Sequence, residues 1–276
     1  MNLYRDFFDR AYQAREIDAS IPPEERFVGA NARIPPDVHS VLDVGCGDGQ
    51  FLRWLPDGYQ KVGLDFSREA LSHVGASKVQ ATVEALPFPD ASFDLVTCFE
   101  VIEHLSSQVF DAAVRELERV SRRYIMVSVP NREVLAESLV WCPRCSCGFH
   151  PSWHVRAFDE RALEGLFVGF QMVECRPCGP AAQYGRSRLA ALAVLLARRR
   201  PPPVALCPQC GFSETAQDRP VGEAEAQAPR RAHRGRGGGL VWEIAKRILF
   251  TVRRPYWLLA LYARADGAPA PRRSGR

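Results

Sequence analysis

Along the first 180 residues, short, mostly apolar runs alternate with stretches whose apolar positions recur every three to four residues. The runs predict buried strands at Ser40–Gly45 (SVLDVG), Tyr59–Leu64 (YQKVGL), Lys78–Thr82 (KVQAT), Phe93–Phe99 (FDLVTCF) and Tyr124–Val129 (YIMVSV). The helical pattern falls between them, at Gln50–Leu55, Arg68–Val74 and Ser107–Val120, and again after the fifth strand at Asp159–Phe167. In Ser107–Val120 the residues Val109, Phe110, Ala113, Val114, Leu117 and Val120 share one face. Phe170–Cys175 (FQMVEC) and Trp257–Tyr262 (WLLALY) read as two late strands. Strand and helix in alternation predict an α/β fold, a largely parallel sheet of about seven strands with helices on both faces.

The pattern fails between the last two strands. Arg188–Arg200 reads as a short helix, followed by Pro201–Pro203 and then Cys207-Pro-Gln-Cys210-Gly211. Ser213–Gly239 holds a valine and no other large apolar residue, so it buries too little to offset its ordering entropy and reads as a disordered loop. The tail from Asp266 reads the same way. Trp242–Arg254 has apolar positions on one side and Lys246, Arg247, Arg253 and Arg254 elsewhere, as expected of a helix that covers the core. The same pattern suits a helix lying on an anionic surface, so peripheral membrane contact stays open.

Composition changes this picture in two places. With 46% hydrophobic and 25% charged residues, a wholly disordered chain is excluded, and the longest apolar run, Leu189–Ala197, is too short to span a membrane. No export signal is visible in MNLYRDFFDRAYQAR, so the cytoplasm is the expected compartment. The net charge of +4 hides a split: residues 1–180 carry 18 Lys+Arg against 26 Asp+Glu (−8), and 181–276 carry 18 against 6 (+12). The positive part coincides with the predicted loop, covering helix and tail, which lowers its weight as evidence for a nucleic-acid partner.

Candidate chemistry begins at Val41-Leu-Asp-Val-Gly-Cys-Gly-Asp-Gly49, a strand running into a glycine-rich turn before a helix. Glycines at 45, 47 and 49 allow a tight turn and close approach to a ligand. Gln50 stands where the dinucleotide fingerprint G-x-G-x-x-G/A needs its third small residue, which argues against NAD. Asp65 ends the next strand, where a carboxylate can accept both hydroxyls of a ribose. A third element, Val83-Glu-Ala-Leu-Pro-Phe-Pro-Asp-Ala-Ser-Phe-Asp94, leads into Leu95-Val-Thr-Cys-Phe-Glu-Val-Ile-Glu-His-Leu105. Each piece has a plain structural alternative: a tight βα turn at the glycines, an N-cap at Asp65, a turn residue at Asp94.

The ordered set LDVGCGDG, GLDFS, EALPFPDASFDLV and EVIEHL resembles the class I S-adenosylmethionine-dependent methyltransferases, in particular the type 11-like branch that acts on small molecules. The resemblance covers roughly residues 38–178 and the final strand. It implies a Rossmann-like seven-stranded sheet in which Gly45, Cys46, Gly47 and Gly49 pass the methionine part of S-adenosylmethionine and Asp43 reaches its amino group. It further implies that Asp65 holds the ribose, Phe66 lies against the adenine, and the backbone of Val83 and Glu84 contacts the base. The family often has an Asp where this chain has Thr82, whose hydroxyl would serve instead. Phe99 and Glu100 would close the methionine end. His104 belongs to the EVIEHL element. His150 and His154, in Phe149-His-Pro-Ser-Trp-His-Val-Arg156, lie in the segment that in this fold overhangs the substrate, so these three histidines are the candidate catalytic bases.

Nine cysteines without an export signal argue for thiols, a metal or a redox site rather than disulfides. Cys142-Pro-Arg-Cys145 and Cys207-Pro-Gln-Cys210 are two C-P-x-C knuckles, a geometry that aims thiolates and amides at one ion, and together they predict a four-cysteine structural zinc site. Cys147, Cys175 and Cys178 offer alternative ligands or a redox pair.

The expected organisation is an N-terminal helical lid at 1–37 and a cofactor-binding core at 38–180 with a cysteine-rich insert at 137–156. A basic insert with the second knuckle and a loop follows at 181–239, then a covering helix and last strand at 240–265 and a tail at 266–276. The expected function is methyl transfer to an O or N atom of a small-molecule acceptor. Two other readings compete with it. One is methylation of nucleic acid or protein docked through the zinc element; the other is a non-catalytic protein that kept the fold and its cofactor site.

Overall fold

Every residue of Ser40–Val44 (β1) and Phe93–Phe99 (β4) is buried, which requires elements covered on both faces. In the computed structural model these two strands lie side by side at the centre of a seven-stranded sheet. The structure describes residues 7–9, 23–184, 194, 196–202, 205–213 and 252–265. The other strands are Gln60–Asp65 (β2), Ser77–Gln80 (β3), Ser121–Pro130 (β5), Phe170–Tyr184 (β6) and Val252–Arg264 (β7). The sheet order is β3-β2-β1-β4-β5-β7-β6. The pairs from β3 through β5 are parallel, and β7 runs antiparallel to β5. All seven predicted strands are present.

Side chains alternate between two cores, as the strand period of two requires. Leu42, Val44, Val96 and Cys98 enter the cluster beneath the amphipathic helix Ser107–Val120, which contributes Ala113, Leu117 and Val120. Val41, Leu95 and Phe99 enter the other, with Phe27, Ala30, Phe51 and Leu52. Phe27 and Ala30 come from helix Glu24–Asn31, and Phe51 and Leu52 from helix Gln50–Trp54.

The two last strands run well past the apolar runs that predict them. Arg176-Pro-Cys-Gly-Pro180 lies beyond the predicted strand end at Cys175, yet it continues β6. Because β6 is the sheet edge, Pro177 and Pro180 are tolerated there. Val252–Arg254 begin β7 and are not part of a helix, while the remainder of the predicted covering helix, 242–251, lies outside the described residues. So do residues 185–193, the loop from 214 to 239 and the tail from 266.

Contacts divide the chain into two compact units: residues 1–133, 153–182 and 254–276, and residues 134–152 and 183–253. The first holds nearly all of the sheet. In the second, Val140–Trp141 and Gly148–Phe149 form a small antiparallel hairpin carrying one cysteine knuckle. Among the described residues no helix is long and apolar enough to cross a membrane.

Candidate functional site

The parallel strands β1, β2 and β4 end at one edge, and the turns after them enclose a cavity of about 330 Å³. After β1 the chain reverses through Gly45, Gly47 and Gly49, all with positive φ (73°, 56° and 78°). The amides of Gly45 and Cys46 both donate to the carbonyl of Leu64 (2.7 and 3.0 Å), which ties the turn to the end of β2. A Cβ on Gly45 would come within 2.3 Å of a Val101 methyl carbon, so only glycine fits.

Asp65 closes the other side of this turn. One carboxylate oxygen accepts from the Gly47 amide (2.9 Å) and the other from the Ser67 amide (2.8 Å). The N-cap of the helix Arg68–Ser72 is Ser67, whose hydroxyl accepts from Ala70 (3.1 Å), so capping is not the role of Asp65. Burial pushes the Asp65 carboxyl up in pKa, against the amides of Ser67 and Gly47. Asp43 lies one strand over and fully enclosed. Burial raises its pKa to about 7, against the Thr97 hydroxyl, which donates to it at 2.7 Å, and the charge of Arg26. Burial likewise pushes the Cys46 thiol well up, leaving it inert as a nucleophile. Asp94, the other candidate turn residue, accepts from the amides of His39 and Ser40 and pairs with Arg122 at 2.6 Å, a staple between strand starts.

Of the sequence candidates, Gly45, Asp65, Phe66, Thr82, Val83, Glu84 and His104 line the cavity. Asp43, Cys46, Gly47 and Gly49 are not among the residues that line it. Phe99 points into the second core, its ring 4.8 Å from that of Phe51. The next residue, Glu100, breaks the strand with φ of 55° and lines the cavity in its place. Glu100 is paired with Arg26 (3.3 Å) and accepts from Ser128 (3.1 Å).

A cluster of ionisable groups borders the cavity. His104 ends the one-turn helix Ile102–His104, and its ring meets those of Phe8 and His154 edge to face (5.4 and 4.7 Å between centroids). His154 Nδ1 is 2.6 Å from a Glu133 carboxylate oxygen, with both side chains nearly enclosed. Glu103 is fully buried, and burial together with the charges of Glu100 and Glu133 pushes its pKa well up. His150 belongs to the second unit, where its Nδ1 accepts from the Ser152 amide (3.2 Å). Sequence reasoning missed Phe8, Glu103 and Glu133. Phe8 was signalled only by the Phe7-Phe8 pair in the segment expected to form a lid. Glu103 sat inside a recognised motif, but its isolation from partners exists only in three dimensions.

In the second unit the two cysteine knuckles are near copies. Cys142 N donates to Cys147 O (2.9 Å) and Ser146 N to Cys142 O (2.9 Å). Correspondingly, Cys207 N donates to Phe212 O (2.8 Å) and Gly211 N to Cys207 O (2.9 Å). Ser146 and Gly211, at equivalent positions, both have positive φ (59° and 67°). The Cys142–Cys210 and Cys145–Cys207 sulfurs are 3.6 Å apart, and all four lie within 4.8 Å of one another. A tetrahedron with ~2.3 Å metal–sulfur bonds has edges of about 3.8 Å, so the donor set fits a zinc-sized ion. Burial pushes the Cys142 thiol up, but the amides of Cys145 and Arg144 and the Cys210 thiol outweigh it and bring it down to about 7.

Residues 42–124 match the family model described as a methyltransferase domain. A Mycobacterium tuberculosis protein named "probable S-adenosylmethionine-dependent methyltransferase" is 33% identical over 147 residues, covering 50% of each chain. The chain thus spans about half the length of the curated relatives it matches. A chain from the complex between the Haloferax volcanii Trm112 methyltransferase activator and a methyltransferase superposes with a TM-score of 0.55 at 17% identity, covering 94% of this chain and 98% of that one. The Burkholderia thailandensis 1,6-didemethyltoxoflavin-N1-methyltransferase, solved with its substrate and S-adenosylhomocysteine, superposes with a TM-score of 0.53 at 14% identity, over 96% and 88% of the two chains. At these identities the structures speak to the fold alone.

Proposed function

We propose, from the premise that residues 42–124 are a class I methyltransferase domain, that this protein binds S-adenosylmethionine and transfers its methyl group to an O or N atom of a small-molecule acceptor. The observation that carries the reading is the pairing of a glycine turn with a buried carboxylate. Asp65 holds the Gly47 amide while lining a cavity that also contains Phe66 and Thr82–Glu84. That arrangement offers a carboxylate for ribose hydroxyls, an aromatic face and main-chain groups for a base, and a close backbone approach for the methionine end. Asp43 and Cys46 support the turn from behind it.

Methyl transfer needs little covalent help from the protein. The cofactor supplies an activated sulfonium methyl, and the chain's part is to align the acceptor, exclude water and hold its proton where the nucleophile carries one. Phe8, Val101 and Leu105 give that space apolar walls, while His104 and Glu100 face it. His104 and His154 are the side chains we place nearest the acceptor.

The four cysteines would hold a structural zinc ion in the second unit. The match between their sulfur spacing and a closed tetrahedral site supports this. Such a site pins two segments distant in sequence and leaves no position for substrate. Metal analysis of the purified protein should find one zinc per chain, and less than half an equivalent would overturn this assignment.

Calorimetry with S-adenosylhomocysteine tests the cofactor reading. The parent should bind and Asp65→Ala should lose most of that affinity; equal binding, or none by either, would remove the reading. A transfer assay with labelled cofactor over a metabolite extract would then identify the acceptor.

A further inference from the structure

Glu103 is a buried carboxylate that lacks what a buried carboxylate requires. Its relative exposure is 0%, and among the described residues neither side-chain oxygen has a hydrogen-bond partner. A buried polar atom without a partner is costly, so such a group is expected to meet something that the polypeptide itself does not supply. Two imidazoles lie beside it. One donor atom each from Glu103, His104 and His154 fall within 4.8 Å of one another.

The surroundings favour a positive charge. Glu100 and Glu133 add their charges to that of Glu103, and Arg26 is already paired with Glu100 at 3.3 Å. His154 Nδ1 sits 2.6 Å from Glu133. A carboxylate oxygen accepts, so the Nδ1 proton belongs to this bond, which fixes the tautomer and orientation of the ring. Metal-bound histidines are commonly held this way, with a carboxylate behind the ring. The backbone is also held in uncommon conformations here: Glu100, Arg132 and Trp153, respectively within the cluster and just before Glu133 and His154, have φ of 55°, 52° and 58°.

We propose that Glu103, His104 and His154 form a divalent-cation site at the edge of the cofactor cavity, with Glu133 as the residue that positions His154. Two imidazoles and one carboxylate suit a first-row transition ion and leave coordination positions open. His104 also lines the cavity, so those positions face the space beside the cofactor. The ligand class the ion would take there is an acceptor oxygen, and this part rests on the methyl-transfer reading. A hydroxyl bound to the cation loses its proton to water more easily. Its oxygen then forms the bond to the methyl carbon as the carbon–sulfur bond breaks, and the electron pair remains on the sulfur of the thioether product.

The test uses the full chain, treated with chelator and given back one zinc per chain for the four thiolates. Mn2+, a hard ion that thiolates bind poorly, is then titrated and the free ion read by electron paramagnetic resonance. The parent should bind one Mn2+ per chain. Glu103→Gln and His154→Gln should abolish that binding, and Glu133→Gln should weaken it by about 10- to 100-fold. Affinity for S-adenosylhomocysteine measured on the same samples reports that each variant is folded. Absence of Mn2+ binding by the parent, or equal binding by the parent and by the Glu103→Gln and His154→Gln variants, would overturn the site. Mn2+ binding without S-adenosylhomocysteine binding would instead keep the ion and sink the methyl-transfer reading.

Discussion

Replacing Gly45 by alanine separates two penalties that the structure superimposes at one atom. The residue sits at φ of 73°, where an L side chain costs about 1–2 kcal/mol. The added Cβ would also lie 2.3 Å from Val101 Cγ2, and forcing a methyl group into filled space typically costs about 1–3 kcal/mol. Gly45→Ala is therefore expected to lose about 2–5 kcal/mol of stability. Val101→Ala alone removes the obstructing methyls from a half-buried side chain and should cost about 1 kcal/mol. In the double variant the clash is gone while the φ penalty stays, so the pair should be more stable than the sum of the singles by about 1–3 kcal/mol. Urea unfolding at constant m-value measures all four corners of this cycle. If the two losses simply add, within about 0.5 kcal/mol, the steric account of Gly45 is wrong.

Three further outcomes follow from the same coordinates. Asp43 carries its proton up to about pH 7 when folded but ionises near pH 4 when unfolded, so stability should fall with rising pH across that window, by up to about 1.4 kcal/mol per unit, and level off above it. Asp43→Asn should flatten that slope in unfolding measurements between pH 4 and 8, and an unchanged slope would contradict the assignment. Arg119 donates to the carbonyls of Leu86 (2.9 Å) and Phe88 (2.7 Å) and pairs with Asp90 (2.8 Å) and Glu116 (2.7 Å), tying residues 86–90 to the helix that ends at Val120. Arg119→Met strands these groups and should cost about 3–5 kcal/mol by denaturant titration; a loss below ~1 kcal/mol would show that water replaces the bonds. Cys145→Ser should release the zinc ion and, since the two knuckles are remote in sequence, expose 205–213 to proteolysis; equal protease resistance would mean that packing alone holds the second unit together.

The strands and the long helix were legible because their signals are local. SVLDV and FDLVTCF are mostly apolar and buried along their whole length because both faces of a central parallel strand are covered, and Ser107–Val120 repeats its apolar face at the helical period. The end of β6 was not legible, since Pro177 and Pro180 suit a strand only where that strand is known to be an edge. Within the site, Gly45 and Asp65 could be picked out because turn geometry and strand-end position are set by neighbours in sequence. Phe99 and Glu100 could not be told apart, because the side that each faces depends on the left-handed residue that ends the strand.

The sequence by itself determined the order of elements, the glycine turn, the carboxylate after β2 and the two knuckles, all of them features of adjacent residues. Tertiary structure alone decided which distant side chains meet. It brought Cys142 and Cys145 against Cys207 and Cys210, placed Phe8 over the cavity, and set Glu133 behind His154 and Glu103 beside His104. Those meetings depend on how the chain crosses from one strand to another, and desolvation, which gives buried carboxylates their chemistry, arises only once the crossing is complete.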